Sequence, residues 1–305
     1  MYPDDRTMQT PAGATDATVN GGEAVVTRYI DSFIVARSYS PASAKQRRHL
    51  LGQFADITGH PTPDQLTAEL VYEWWARIAH LADSSRRAHL SAVRQFFAHL
   101  QTIGVLDDDP TVTITPPRLH HAPPVTIDPV EAARLLVAIR HPRDRVAAAL
   151  MVGCGLRAGD VTRLDVDNID LGQRIARVPG KGGKIRLVPL PALVVDMLRT
   201  HTTGLDDGPL IRTPGGHRLT VGQLRYRITR ELYRAGIKRG PHDGRSSHVL
   251  RRTCATTLLE SGHASLVDVQ SILGHAALSS TQRYIALPDA KRLRTVIEAG
   301  PLGCR

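Results

Sequence analysis

Residues 107–125 read DDDPTVTITPPRLHHAPPV. The prolines at 110, 116, 117, 123 and 124 cannot continue a helix and stiffen the backbone into an extended connection, so the Pro-rich stretch 108–125 divides the chain. The charge changes across it. Residues 1–125 carry 11 basic and 13 acidic side chains and residues 126–305 carry 28 and 16, so the whole surplus of +10 lies on the C-terminal side. At ~100 to 200 residues per domain, a chain of 305 residues accommodates two domains, one at 21–107 and one at 126–288.

Before the division, apolar residues recur at three- and four-residue steps over 23–37, 41–57, 68–80 and 85–102, the spacing of one helix face. Ser40 with Pro41 behind it, Thr67 and Ser84 stand where helix starts need caps. Phe33, Leu50, Phe54, Trp74, Trp75, Leu90, Val93, Phe97 and Leu100 are the expected core of a small helical bundle. Residues 1–20, rich in Thr, Ala, Gly and Asp without periodicity, predict a disordered leader. After the division, Asp128, Pro129 and Glu131 form a capping-box pattern that opens a helix to Ile139. Helical spacing returns over 144–153, 159–163, 221–235, 247–261, 266–273, 280–285 and 290–299, while 174–178 and 184–190 predict two strands around PGKGG at 179–183. The fold class is mainly α: a helical bundle, then a mostly helical domain holding one small β-hairpin.

Apolar residues at 42 % suffice for packed cores, which excludes a disordered or collagenous chain. Cys154, Cys254 and Cys304 are an odd number without CxxC spacing, so neither a disulfide framework nor a zinc site is expected, and a reducing cytoplasm fits. No HExxH motif or close Cys/His pairing accompanies the 14 histidines, and no metal is expected. The longest apolar run, 146–155, is far short of the ~18 to 20 residues that cross a bilayer, and residues 1–22 lack a signal peptide's basic start, so no membrane role is expected. GCGLRA at 153–158 follows a helical pattern instead of a strand, and Ile185 stands where a phosphate-binding loop needs Ser or Thr, so neither reads as a nucleotide site. No cofactor is expected. A strongly basic domain makes a polyanion the leading partner.

His248 and Arg251 stand three apart on one helix, with Ser246 or Ser247 to cap its start, and a helix N-terminus bearing His and Arg suits a phosphate. Gly274 ends a helix before His275, and a short helix bearing Tyr284 follows. Upstream, Arg157 lies in GLRAGDV and Lys181 sits among glycines at the hairpin tip. Each residue alone has an ordinary explanation: core packing for a Tyr, a surface ion pair for an Arg, a solvated turn for a Lys, a hydrogen-bonded structural His. Order and spacing together point to chemistry.

Four stretches, GCGLRAGDVTRL at 153–164, PGKGGKIRLVPL at 179–190, HVLRRTCAT at 248–256 and LGHAALSSTQRY at 273–284, strongly resemble the tyrosine recombinase (phage integrase) family. They stand in the family's order, with His275 and Tyr284 at its nine-residue spacing, and the bundle before the linker resembles its SAM-like core-binding domain. Carried over by position, the resemblance implies an active-site set of Arg157, Lys181, His248, Arg251, His275 and Tyr284. Asp160 stands where the family usually has Glu, and should still brace Arg157, while Arg252 replaces a common His. The layout resembles compact Xer-like or transposon-type recombinases.

The resemblance implies a site-specific recombinase that cleaves and rejoins DNA through a 3′-phosphotyrosyl intermediate, in the cytoplasm at the nucleoid. Two guanidiniums would hold the non-bridging oxygens, His248 would take the tyrosine proton, His275 would steady the phosphoryl oxygens and Lys181 would protonate the leaving 5′ oxygen. The implied partners are double-stranded DNA with specific sites, three further copies in a homotetramer, and an accessory recombinase or directionality factor. The two domains would close on the duplex as a clamp, with Lys45, Arg47, Arg48, Arg86, Arg87 and Arg94 as candidate DNA contacts on the bundle. The tail at 289–305 has helical spacing with Leu293, Val296 and Ile297 as an apolar face, which either folds back on its own domain or, as the resemblance implies, docks into a neighbouring protomer as an exchanged helix. Two other readings share parts of the pattern: a type IB topoisomerase-like DNA-relaxing enzyme, and a DNA-binding protein with vestigial catalytic residues.

Overall fold

The computed structural model describes residues 16–119, 125–180, 184–241, 243–274 and 290–302. The chain divides into two compact units, 1–122 and 123–305. Among the described residues no helix is long and apolar enough to cross a membrane.

The first unit holds α1 (Asp16–Ala36), α2 (Pro41–Thr58), α3 (Ala68–Arg77) and α4 (Asp83–Thr102). Ser40 caps α2 by accepting from the Ser43 N–H at 3.3 Å, and Thr67 does the same for Leu70 in α3. Asp83 opens α4 behind Ala82, whose side chain offers no cap, so Ser84 lies inside the helix. Phe33, Phe54, Trp74, Phe96 and Phe97 are fully buried, and Phe54 meets Trp74 edge-to-face at 5.3 Å, the geometry that the ring quadrupoles favour. Trp75 is only half-buried and lies under the Arg86 guanidinium at 4.3 Å. Helix α1 begins at Asp16, inside the stretch expected as leader; Gly21 and Gly22 masked its helical continuity in the sequence. Residues 1–15 of that leader lie outside the described residues.

The second unit holds α5 (Pro129–Ala138), α6 (Pro142–Gly153), α7 (Ala158–Arg163), β1 (Ile169–Asp170), β2 (Ile175–Pro179), β3 (Ile185–Pro189), α8 (Ala192–Thr202), α9 (Val221–Arg234), α10 (His248–Glu260), α11 (Leu266–Leu273) and α12 (Ala290–Glu298). Helix α6 is the axis of this unit. Its residues from Val146 to Gly153 are buried on every face, as an all-round apolar helix must be, and α5, α7, α8, α9 and α10 pack around it. The Asp128 carboxylate accepts the Glu131 N–H at 2.7 Å, completing the expected capping box. The sheet is antiparallel in the order β1-β2-β3, with Ala176 opposite Val188 and Val178 opposite Arg186. The sequence reading found the hairpin but neither the two-residue β1 nor α8. The expected helix at 280–285 lies outside the described residues.

The tail helix α12 packs against β3 and α11 of its own unit, with Leu293, Val296, Ile297 and Leu302 buried in the core. Arg174 pairs with Glu298, and Arg294 reaches the Gln173 carbonyl at 2.5 Å. In this chain the apolar face of the tail is covered by its own unit.

Candidate active site

Three elements bring the described site together: the turn from α6 into α7, the start of α10 and the end of α11. Gly155 turns the chain after α6 with φ +65°, and a Cβ there would meet Leu273 Cδ2 at 2.5 Å, so any other residue strains the backbone and must displace Leu273. Its carbonyl accepts from Arg251 Nη1 at 2.5 Å. Arg251 Nη2 donates to the Leu273 carbonyl at 2.9 Å, and Arg157 Nη1 donates to the same oxygen at 3.3 Å. The two guanidiniums thus share one acceptor at the C-terminus of α11, where the helix leaves carbonyls without an internal partner. Gly274, left-handed at φ +64°, closes α11 directly after that carbonyl.

Asp160 anchors the arrangement. Its buried carboxylate accepts the Arg157 backbone N–H at 3.0 Å, Arg163 Nη2 at 2.7 Å and Arg186 Nη2 at 2.8 Å. Burial alone would raise its pKa, but the hydrogen bond and charge of Arg186, reinforced by Arg157, hold it below the usual carboxylate value. Asp160 holds Arg157 through the backbone N–H, with the Arg157 guanidinium 3.9 Å away, while its side-chain hydrogen bonds go to Arg163 and Arg186. Arg186 lacked a signal: it reads as an ordinary strand residue between Ile185 and Leu187.

The electrostatics of this centre call for an anion. Arg157, Arg163, Arg186 and Arg251 face a single described carboxylate, Asp160. Arg251 is buried, and desolvation together with the nearby Arg157 charge pushes it down to about 10. Arg157 keeps 41 % of its side chain exposed and lines a cleft of about 490 Å³ with Arg225, Tyr226, Thr229, Ser246, Ser247 and His248. His248 stands at the first position of α10, where Ser246 Oγ accepts its N–H at 3.4 Å; Ser247 makes no side-chain cap. Desolvation and the charges of Arg251, Arg252, Arg157 and Arg225 lower the His248 pKa, so its neutral, proton-accepting form prevails at pH 7. Burial pushes the Cys254 thiol up to about 12 and the Cys154 thiol well above its ordinary value, so neither competes as a nucleophile. Lys181, His275 and Tyr284 lie outside the described residues.

The six basic residues of the first unit divide. Arg94 does not face outward: it donates to the Thr111 carbonyl at 3.0 Å and the Ile114 carbonyl at 2.6 Å, pinning the start of the Pro-rich stretch onto α4. Arg87 likewise holds the Pro117 carbonyl at 2.9 Å. Arg48 pairs with Asp31 at 2.9 Å, and Arg86 stacks on Trp75. Lys45 and Arg47 have no ion-pair or hydrogen-bond partner among the described residues.

Residues 126–291 match the phage integrase family, and the chain belongs to that family. It is 35 % identical over 227 residues to tyrosine recombinase XerC of Chromobacterium violaceum, covering 72 % of this chain and 74 % of that one. It is 34 % identical to tyrosine recombinase XerC of Mycobacterium bovis over 254 residues, covering 77 % and 83 %. In fold it is similar to the integrase of the Tn1549 transposon, whose structure was solved with circular intermediate DNA, at TM-score 0.69 and 17 % identity, covering 89 % of this chain and 98 % of that one. The chain is a tyrosine site-specific recombinase.

Proposed function

We propose that this recombinase cuts and rejoins duplex DNA at a specific site through a 3′-phosphotyrosyl intermediate held by Arg157, Lys181, His248, Arg251, His275 and Tyr284. The observation that carries the reading is the pair of guanidiniums, Arg157 and Arg251, converging on one carbonyl beside a cleft that His248 lines. The Tyr284 oxygen attacks the phosphorus, a new P–O bond forms to tyrosine and the P–O5′ bond breaks. His248 takes the tyrosine proton, and Lys181 supplies one to the departing 5′ oxygen. One phosphate ester replaces another, so bond energy is conserved and rejoining is the reverse attack. Arg157 and Arg251 stabilise the charge on the non-bridging oxygens through bidentate hydrogen bonds, with His275 beside them.

The +12 C-terminal part supplies sequence-independent attraction to phosphates, and on the first unit Lys45 and Arg47 are the strongest remaining DNA contacts. The enzyme acts at the nucleoid as a homotetramer, with an accessory recombinase or directionality factor as a further partner. Exchange of the tail between protomers requires α12 to leave its site on β3 and α11. The naming of the curated relatives favours recombination over a topoisomerase-like activity. Sequencing the DNA trapped covalently on the protein in cells tests the reading: one recurring short sequence is expected, and random genomic DNA would refute site specificity.

A further inference from the structure

In the connection from α9 to α10, the described residues 235–241 and 243–247 form no helix or strand, and the last of them, Ser246 and Ser247, line the cleft beside His248. Unstructured connections longer than about 12 residues are uncommon in compact domains and are usually functional or loosely held. This one is tied from within. Lys238 is only 7 % exposed, and its ammonium donates to the Gly240 carbonyl at 2.5 Å, Asp243 Oδ1 at 2.7 Å and the Pro241 carbonyl at 3.4 Å. That uses all the donors a lysine has. Asp243 accepts the backbone N–H groups of Arg239 at 2.7 Å and Gly240 at 3.4 Å through Oδ2, and that of Arg245 at 3.0 Å through Oδ1. The Lys238 ammonium lies 5.2 Å from the centre of the Tyr233 ring at the end of α9, and the Arg245 guanidinium reaches back to the Ile237 carbonyl at 3.3 Å. One carboxylate therefore joins the α9 side of the loop to the residue directly before Ser246.

We propose that Lys238 and Asp243 are positioning residues for His248. Their part-buried ion pair fixes the path of the loop, so that Ser246 meets the His248 N–H and α10 starts with its imidazole on the cleft wall. The inference rests on the strand-transfer reading above. Misplacing a proton acceptor by about 1 Å is enough to cost rate without costing affinity.

The test compares the full chain with Asp243→Ala and Lys238→Met in single-turnover adduct formation on a nicked suicide duplex at saturating DNA, with affinity measured separately on intact duplex. The adduct rate should fall about tenfold or more while Kd changes less than about threefold, a rate-against-affinity split. Asp243→Asn should fall between, because its carbonyl still accepts backbone N–H groups. In a His248→Gln background, Asp243→Ala should slow the reaction by less than about twofold, since no imidazole remains to be placed. Equal losses in both backgrounds, a parallel loss of affinity, or no loss would overturn the proposal. Should Asp243→Ala fail to fold by circular dichroism, Asp243→Asn carries the same comparison. Absence of an adduct in the unmodified protein would refute the strand-transfer reading instead.

Discussion

Replacing Gly155 by alanine strikes the site at its tightest point. The new Cβ would sit 2.5 Å from Leu273 Cδ2 and 3.4 Å from Cys254 Sγ, on a backbone with φ +65°. A left-handed conformation costs a residue with a Cβ about 1–2 kcal/mol, and overpacking a filled core about 1–3 kcal/mol more, so Gly155→Ala should destabilise the second unit by about 2–5 kcal/mol. Leu273 also carries the carbonyl shared by Arg157 and Arg251, so its displacement should slow strand cleavage beyond the loss of folded protein. Leu273→Ala removes the methyl that the new Cβ meets. In that background only the backbone cost of about 1–2 kcal/mol should remain, a coupling of about 1–3 kcal/mol between the two positions. Urea unfolding of the four proteins measures it, with m-values compared to verify that the unfolded states match. A Gly155→Ala protein within about 0.5 kcal/mol of the parent, or an equal cost in both backgrounds, would refute the packing described here.

Arg94→Met should free the buried Thr111 and Ile114 carbonyls of their partner, costing about 2–4 kcal/mol and opening 109–117 first in hydrogen exchange; unchanged protection there would contradict the anchoring role. Deleting residues 287–305 removes Leu293, Val296, Ile297 and Leu302 from the core at about 1.5–3 kcal/mol each, comparable to a domain's whole stability of about 5–15 kcal/mol, so the cooperative melt of the second unit should disappear. A truncated protein melting within a few degrees of the full chain would show that the tail packs elsewhere. Desolvation and the neighbouring guanidiniums lower the His248 pKa from its ordinary value, so adduct formation should fall on acidification only below the usual histidine range; a midpoint above that range would count against His248 as the proton acceptor. Buried His89 and His99 are also depressed, chiefly by desolvation. The unfolded chain therefore takes up their protons first, and the stability of the first unit should be flat above about 6.5 and decline below it, by pH-dependent denaturant melts.

The parts of this molecule legible from sequence are those fixed by local chemistry. Ser40, Thr67 and Asp128 marked helix starts because a side-chain oxygen on an orphan N–H is a local event. Helix α8 carries no such start signal: Pro191 stands at its N-cap with no side-chain cap, and its apolar residues follow directly on the strand read over 184–190. Arg157, His248 and Arg251 emerged from order and spacing. The carbonyls of Gly155 and Leu273 did not, because a backbone acceptor has no residue type to announce it. The anchoring role of Arg94 carries no local signal, because its carbonyl partners on Thr111 and Ile114 lie 17 and 20 residues away. Lys238 and Asp243 look like solvated loop charges until the fold closes over the lysine.

The central claim is that Tyr284 is the nucleophile of a phosphate held by Arg157 and Arg251. A nicked suicide duplex carrying the recovered site, incubated with the protein and digested for peptide mass spectrometry, tests it most directly. A single DNA-linked peptide modified at Tyr284 is expected, lost in Tyr284→Phe with affinity unchanged within a few-fold. An adduct on Tyr226 or Tyr233, or one that persists in Tyr284→Phe, would contradict it.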